Sequence, residues 1–267
     1  MSQRAEFLRE KIRRSQGAGE SIADLYGELK KLVHEQRLWQ KTSRAVENIL
    51  HAPDTGYGEL ALLCDRYGCN KGSLSKSGRH HPYYPMPPHT YTEVYEALFA
   101  PVRLTARHIF ECGVGTENPD QHGNFGNGYK AGASLRVWRD FFPQAEIWGA
   151  DIDRTALFQE PRIHTAWMDQ TSSEAVQAFF ANAGVDAFDI MIDDGLHTYE
   201  AASCLFDHAE PYLRAGGLYI VEDLTPQFMH KFQQHICRRP DFVVKYFVME
   251  TPDCWENNLI VLRKRHG

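Results

Sequence analysis

Five carboxylates stand at the ends of short apolar runs: Glu111 in HIFEC, Asp151 in GADID, Asp169 in MDQ, and Asp193 with Asp194 in MIDDG. Ligands of open α/β sheets sit at the carboxyl ends of strands, so such a series lines one edge of a site. Asp151 can accept both hydroxyls of a ribose, and Asp169, one strand on, can take an adenine amino group. Together they describe an adenosyl pocket. Gly113 and Gly115, in Glu111-Cys112-Gly113-Val114-Gly115-Thr116, let a ligand approach the backbone closely. Ser134, at the head of the next helical pattern, is counted in that pocket with Glu111, Gly113, Gly115, Asp151, Asp169 and Asp193. Taken singly, each acid also reads as a helix N-cap, a favoured place for Asp.

A second constellation joins Asp194 and His197 in DDGLHTYE to Glu222 and Asp223 in VEDL. Three carboxylates converging from two strand ends suit a hard cation such as Mg²⁺, which takes oxygen ligands. Like charges that close need a compensating cation or protons. The competing reading makes Glu222 or Asp223 the cap of the next helix and Asp193 structural. His197 follows Asp194 by three residues, and an imidazole is suited to taking a proton from a hydroxyl near neutral pH, so it is the candidate general base. His80, His81 and His89 lie in a Pro- and Tyr-rich stretch and read chiefly as loop residues.

The elements that would position these groups follow from the apolar patterning. Strands are expected at 108–112, 146–152, 163–168, 188–193, 218–223, 242–249 and 258–264, with helices at 134–142, 173–183, 199–213 and 226–237. Alternation of this kind gives a mostly parallel sheet covered on both faces. Only TPDCWEN separates the last two strands, which makes them a hairpin and places one antiparallel strand in the sheet. Residues 1–52 carry an apolar stripe, Leu25, Leu29, Leu32, Val33, Val46, Ile49 and Leu50, and read as helical. That stripe packs on the chain's own core or on a second copy; a homo-oligomer is expected. From 53 to 100, Gly, Pro, His and Tyr crowd together, and the segment reads as ordered loop around a site. The chain thus divides into 1–100, a helical N-terminal and lead-in region, and 101–267, the ligand-binding domain.

The chain has 267 residues, 29 basic against 35 acidic, and a formal net charge of -6. Nothing in that balance resembles the basic surface that a phosphate backbone selects, so nucleic acid is not an expected partner. No stretch approaches the ~20 apolar residues that span a bilayer, and a cytoplasmic protein without membrane contact is expected. The 6 cysteines include no CxxC pair and read as buried thiols. A dinucleotide fingerprint would need a glycine where Asn118 stands, with a helix opening at once; a polar insertion from Asn118 to Gly132 intervenes instead.

FECGVGT, ASLRVWRDFFPQAEIWGADID, FDIMIDDGLHTYEA and GGLYIVEDL resemble the deoxysugar O-methyltransferases of macrolide and related antibiotic pathways, the mycinamicin type. The resemblance covers about 105 to 225, and YGCNKGS and YTEVYEALFAPVR are similar to that family's lead-in. It implies a Rossmann-like class I methyltransferase fold, α/β with a seven-stranded, mostly parallel sheet and a helical N-terminal extension. It also implies S-adenosylmethionine as cofactor, facing Glu111, Gly113, Gly115, Asp151 and Asp169. By the same resemblance Asp194, Glu222 and Asp223 bind Mg²⁺ and His197 is the catalytic base. The acceptor implied is a small-molecule deoxysugar hydroxyl, on a nucleotide sugar such as TDP-rhamnose or on a finished glycoside. The chain departs from the family in the Gly/Asn-rich insertion NPDQHGNFGNGYKAG, a candidate lid. A catechol-type methyltransferase, a nicotinamide-dependent oxidoreductase and a non-catalytic domain are the alternatives the same sheet allows.

Overall fold

A computed structural model describes residues 49–50, 58–72, 89–118, 120, 129–249 and 256–266. Strands buried on both faces require near-continuous apolar runs, and the sequence supplies them most fully at β2 (His108–Cys112), β6 (Phe188–Asp193), the second half of β7 (Leu213–Val221) and most of β9 (Asn258–Lys264), while β3 (Glu146–Asp151), β5 (Ile163–Trp167) and β8 (Phe242–Val248) are partly exposed. Alternate residues serve opposite faces: Ile109, Ile190 and Ile192 belong to one core cluster, Phe110 and Met191 to the other.

Those seven strands match the expected set, and two short ones, β1 (Ile49–Leu50) and β4 (Gln159–Glu160), lengthen the sheet to nine strands among the described residues. Ile49 and Leu50 are therefore strand, paired in parallel with β8, where the apolar stripe predicted helix. The stripe's earlier residues lie outside the described residues. The order is β1-β8-β9-β7-β6-β2-β3-β5-β4. β9 runs antiparallel to both β7 and β8, and β4 antiparallel to β5; the other pairings are parallel.

The segment read as loop before residue 100 contains two helices, α1 (Glu59–Tyr67) and α2 (Tyr91–Phe99). Tyr91, Val94, Tyr95 and Phe99 recur at helical spacing and are all buried, a signal masked by the Gly and Pro around them. Together with α3 (Ala133–Phe141) these helices cover one face of the sheet. The other face carries α4 (Ser173–Ala183), α5 (Tyr199–Ala209) and α6 (Pro226–Ile236). The helix expected to run to 213 stops at Ala209 and tightens into a 3₁₀ turn over Glu210–Tyr212 around Pro211, which lacks the N–H that would continue the helix. No helix among the described residues is long and apolar enough to cross a membrane.

Register sets the position of the site. Cys112 pairs with Ala150 and Asp193, and Asp193 with Val221, so β3, β2, β6 and β7 end level with one another. Their next residues, Asp151, Gly113, Asp194 and Glu222, therefore form a row along the carboxyl edge. The chain leaves β2 toward β3 on one side and returns to β6 on the other, which makes this edge the topological switch point.

Candidate functional site

At the β2 end the glycines serve packing as well as access. Gly113 has φ +88, and a Cβ there would lie 2.0 Å from the Asp194 carbonyl oxygen. Only glycine lets the β2 turn touch the β6 turn. Asp151 accepts from the Val114 N–H (2.9 Å) and the Asp153 N–H (2.8 Å), tying the glycine turn to the end of β3. Each of its oxygens keeps acceptor capacity. Asp169 accepts from the Thr171 N–H and hydroxyl, while Ser172 caps α4, so Asp169 is not the cap. Glu111 is fully buried and accepts from Ser134 Oγ and Trp138 Nε1, both at 2.8 Å, so Glu111 and Ser134 meet each other inside the fold. Asp193 is also buried and accepts from Gln170 Nε2 (2.6 Å) and the Gly195 N–H (3.3 Å); burial pushes its carboxyl up to about 6.

The second constellation assembles at the β6 and β7 ends. His197 Nε2 stands 3.2 Å from Asp194 Oδ1 and 3.4 Å from Asp223 Oδ2, and one ligand atom from each of the three residues lies within 4.8 Å of the others. Carboxylate oxygens from two neighbouring strand ends, partly open to solvent and with an imidazole beside them, fit a divalent cation. His197 and Asp223 both have φ +55, a left-handed backbone uncommon outside glycine and often found where function fixes the geometry. Burial opposes the charge on His197, yet Asp223 and Asp194 outweigh it and hold the imidazolium up to about 10. Thr225 caps α6, which removes the capping reading for Glu222 and Asp223. Glu222 turns the other way, accepting from Tyr95 Oη (2.5 Å) and Lys71 Nζ (2.6 Å).

Four residues of the lead-in complete the cluster. Lys71 Nζ lies 2.5 Å from Asp194 Oδ2 as well as 2.6 Å from Glu222 Oε2, and 3.3 Å from Glu111 Oε1. Burial disfavours its ammonium, but Asp194, Glu222 and Glu111 outweigh that cost and keep it charged. Asp194, also opposed by burial, is drawn down to about 2 by Lys71 and His197. Tyr91 Oη donates to Asp223, and His89 Nε2, its ring stacked on Tyr91, stands 3.4 Å from the same carboxylate. Sequence reasoning left Lys71, Tyr91 and Tyr95 unremarked and His89 among loop histidines. The helical spacing of Tyr91 and Tyr95 was the available signal; Lys71 lies in YGCNKGS, marked only by its likeness to the family's lead-in. His80 and His81, and most of the 118–132 insertion, lie outside the described residues.

No family model matches the chain. Over 190 residues it is 35% identical to an 8-demethyl-8-α-L-rhamnosyl tetracenomycin-C 2′-O-methyltransferase from Streptomyces olivaceus, a span covering 71% of this chain and 44% of that one. Over 144 residues it is 35% identical to a mycinamicin VI 2″-O-methyltransferase from Micromonospora griseorubida, covering 54% and 34%. The chain thus spans less than half the length of these relatives. Among solved structures, the mycinamycin-pathway methyltransferase MycE, in complex with Mg, SAH and mycinamycin VI, superposes with a TM-score of 0.58 at 24% identity, over 78% of this chain and 55% of that one. A putative O-methyltransferase from Klebsiella pneumoniae superposes with a TM-score of 0.50 at 15% identity, over 79% and 92%. The likeness to both structures is one of fold, and the fold is that of class I methyltransferases.

Proposed function

From the premise that its homologues are sugar O-methyltransferases of antibiotic pathways, we propose that this chain transfers a methyl group from S-adenosylmethionine to a deoxysugar hydroxyl with the help of a divalent cation. The finer reading takes a rhamnose as the acceptor, nucleotide-linked as in TDP-rhamnose or already attached to its aglycone. The observation that carries the proposal is the meeting of Asp194, His197 and Asp223 beside the glycine turn at Gly113, at the switch point of the sheet.

S-adenosylmethionine, when bound, supplies a methyl group on a sulfonium that needs no further activation. A Mg²⁺ ion held by Asp194 and Asp223, when bound, supplies positive charge that polarises the acceptor hydroxyl and offsets the field holding His197 charged. Asp151 and Asp169 accept from the nucleoside, and Gly113 and Gly115 let it approach the chain. His197 takes the acceptor proton at Nε2, where Asp194 and Asp223 orient the ring.

Methyl transfer to a panel of TDP-deoxysugars, rhamnosylated polyketides and catechols, each with Mg²⁺ and with EDTA, tests the reading. Transfer to a sugar that EDTA abolishes is the expected result; turnover of catechols alone would move the chain to another acceptor class. Asp194→Asn is expected to lose the response to Mg²⁺, and full metal-dependent activity in that variant would remove the metal site.

A further inference from the structure

We propose that Gln170 is a positioning residue for His197: its side-chain amide joins the loop after β5 to the turn after β6 and fixes the backbone from which the imidazole projects. The proposal deepens the reading of His197 as the base and rests on that reading for its effect on the reaction.

The turn from Asp194 to His197 lies between β6 and α5 and ends in a left-handed residue, His197 at φ +55. A side chain other than glycine persists in that conformation where its surroundings over-determine it. The N–H groups of the turn are anchored in succession. Asp194 donates to the Cys112 carbonyl at 3.0 Å, Gly195 to Asp193 Oδ1 at 3.3 Å and Leu196 to Gln170 Oε1 at 2.9 Å. Thr198 then caps α5 by accepting from the Ala201 N–H. Leu196 is 40% exposed, so its own side chain does little to hold the turn. Gln170, at 6%, reaches it from the loop between β5 and α4.

The chemistry of that contact selects glutamine. As a carboxylate Asp193 can only accept, and the Leu196 N–H can only donate. The amide is therefore oriented with Nε2 on Asp193 Oδ1, at 2.6 Å, and Oε1 on the backbone. One flat group closes a ring through Asp193, Gly195 and Leu196. Glutamate would set a second carboxylate against Asp193, and asparagine is one methylene shorter. Gly195 is the complement of this contact: a Cβ there would lie 2.1 Å from Gln170 Oε1 and 3.1 Å from Cys112 Sγ. The amide thus rests directly on the turn. Asp169, the neighbouring acid, has its own support in the Thr171 N–H and hydroxyl. Gln170 accordingly serves the base and not the nucleoside acid beside it.

Methyl transfer, S-adenosylhomocysteine titration and amide hydrogen exchange on the full chain test this in the wild type, Gln170→Met, Gln170→Glu, His197→Asn and Gln170→Met combined with His197→Asn. Gln170→Met should lower kcat by a factor on the order of 10², the cost of misplacing a reacting group by about 1 Å. Affinity for S-adenosylhomocysteine should stay within about threefold of wild type, since the lost contact acts in the transition state and not on the bound cofactor. In the His197→Asn background the same substitution should cost no more than about threefold, because the turn then has no base to aim. Exchange over 194–198 should quicken about tenfold in Gln170→Met and stay unchanged over β2. Gln170→Glu keeps the shape, loses the donor and should show the same losses, so the test stands even where Gln170→Met does not fold. A full Gln170 effect in the His197→Asn background, a parallel loss of S-adenosylhomocysteine affinity, or unchanged exchange over 194–198 would make Gln170 merely structural and overturn the proposal. A wild-type chain that transfers no methyl group would instead remove the function proposed above, and the exchange comparison would still decide whether Gln170 holds the turn.

Discussion

His197 combines a left-handed backbone with a ring held between two carboxylates, so its identity and its conformation make separate demands. Alanine at that position would add backbone strain to the loss of the ring. Asparagine tolerates the left-handed region and isolates the chemistry. His197→Asn should lower methyl transfer by a factor on the order of 10² to 10⁴ while S-adenosylhomocysteine still binds. Loss of both together in the assay and the titration would make His197 structural. The strand-end acids were legible because each follows an apolar run of strand length, as Asp193 and Asp194 follow FDIMI. Lys71 was not, since its partners lie 123 and 151 residues away and no local pattern announces a long-range ion pair.

Secondary structure was read best where apolar periodicity is unbroken, as at β2, β6, β9 and α4, whose limits match the expected ones. It was read worst where composition hid periodicity: α1 and α2 sit among Gly, Pro and Tyr and passed for loop. Two local devices hold the strand ends in place. Asp189, the second residue of β6, accepts from the Arg107 and His108 N–H groups at 2.7 and 2.9 Å and pairs with Arg214 of β7 at 2.7 Å. Asp189→Ala leaves those donors unmatched and should cost about 2 to 4 kcal/mol in denaturant unfolding. At the opposite end, Gly113→Ala combines a forbidden contact with a strained φ and should cost at least about 2 kcal/mol. It should also abolish S-adenosylhomocysteine binding by displacing the Asp194 turn. Unchanged binding would mean that the turn yields.

For the molecule as a whole, α1, α2 and α3 share one core cluster, so the lead-in that carries Lys71, Tyr91 and Tyr95 is packed against the sheet and not merely draped over it. The fold class followed from strand and helix alternation; the two edge strands did not, since two residues carry too little pattern to read. If a divalent cation binds the folded chain alone, Mg²⁺ at about a hundred times its dissociation constant should raise stability by about 2.7 kcal/mol, readable as an upward shift in melting temperature. Asp223→Asn should lose that shift. The position of β9 also bears on how the protein is made. The strand between β7 and β8 is the last of the nine described strands to be synthesised, so β7 gains its second neighbour only after residues 222–264 have been made, roughly 2 to 9 seconds at ~5–20 residues per second. β9 therefore enters between two strands made before it, and that side of the sheet closes out of chain order.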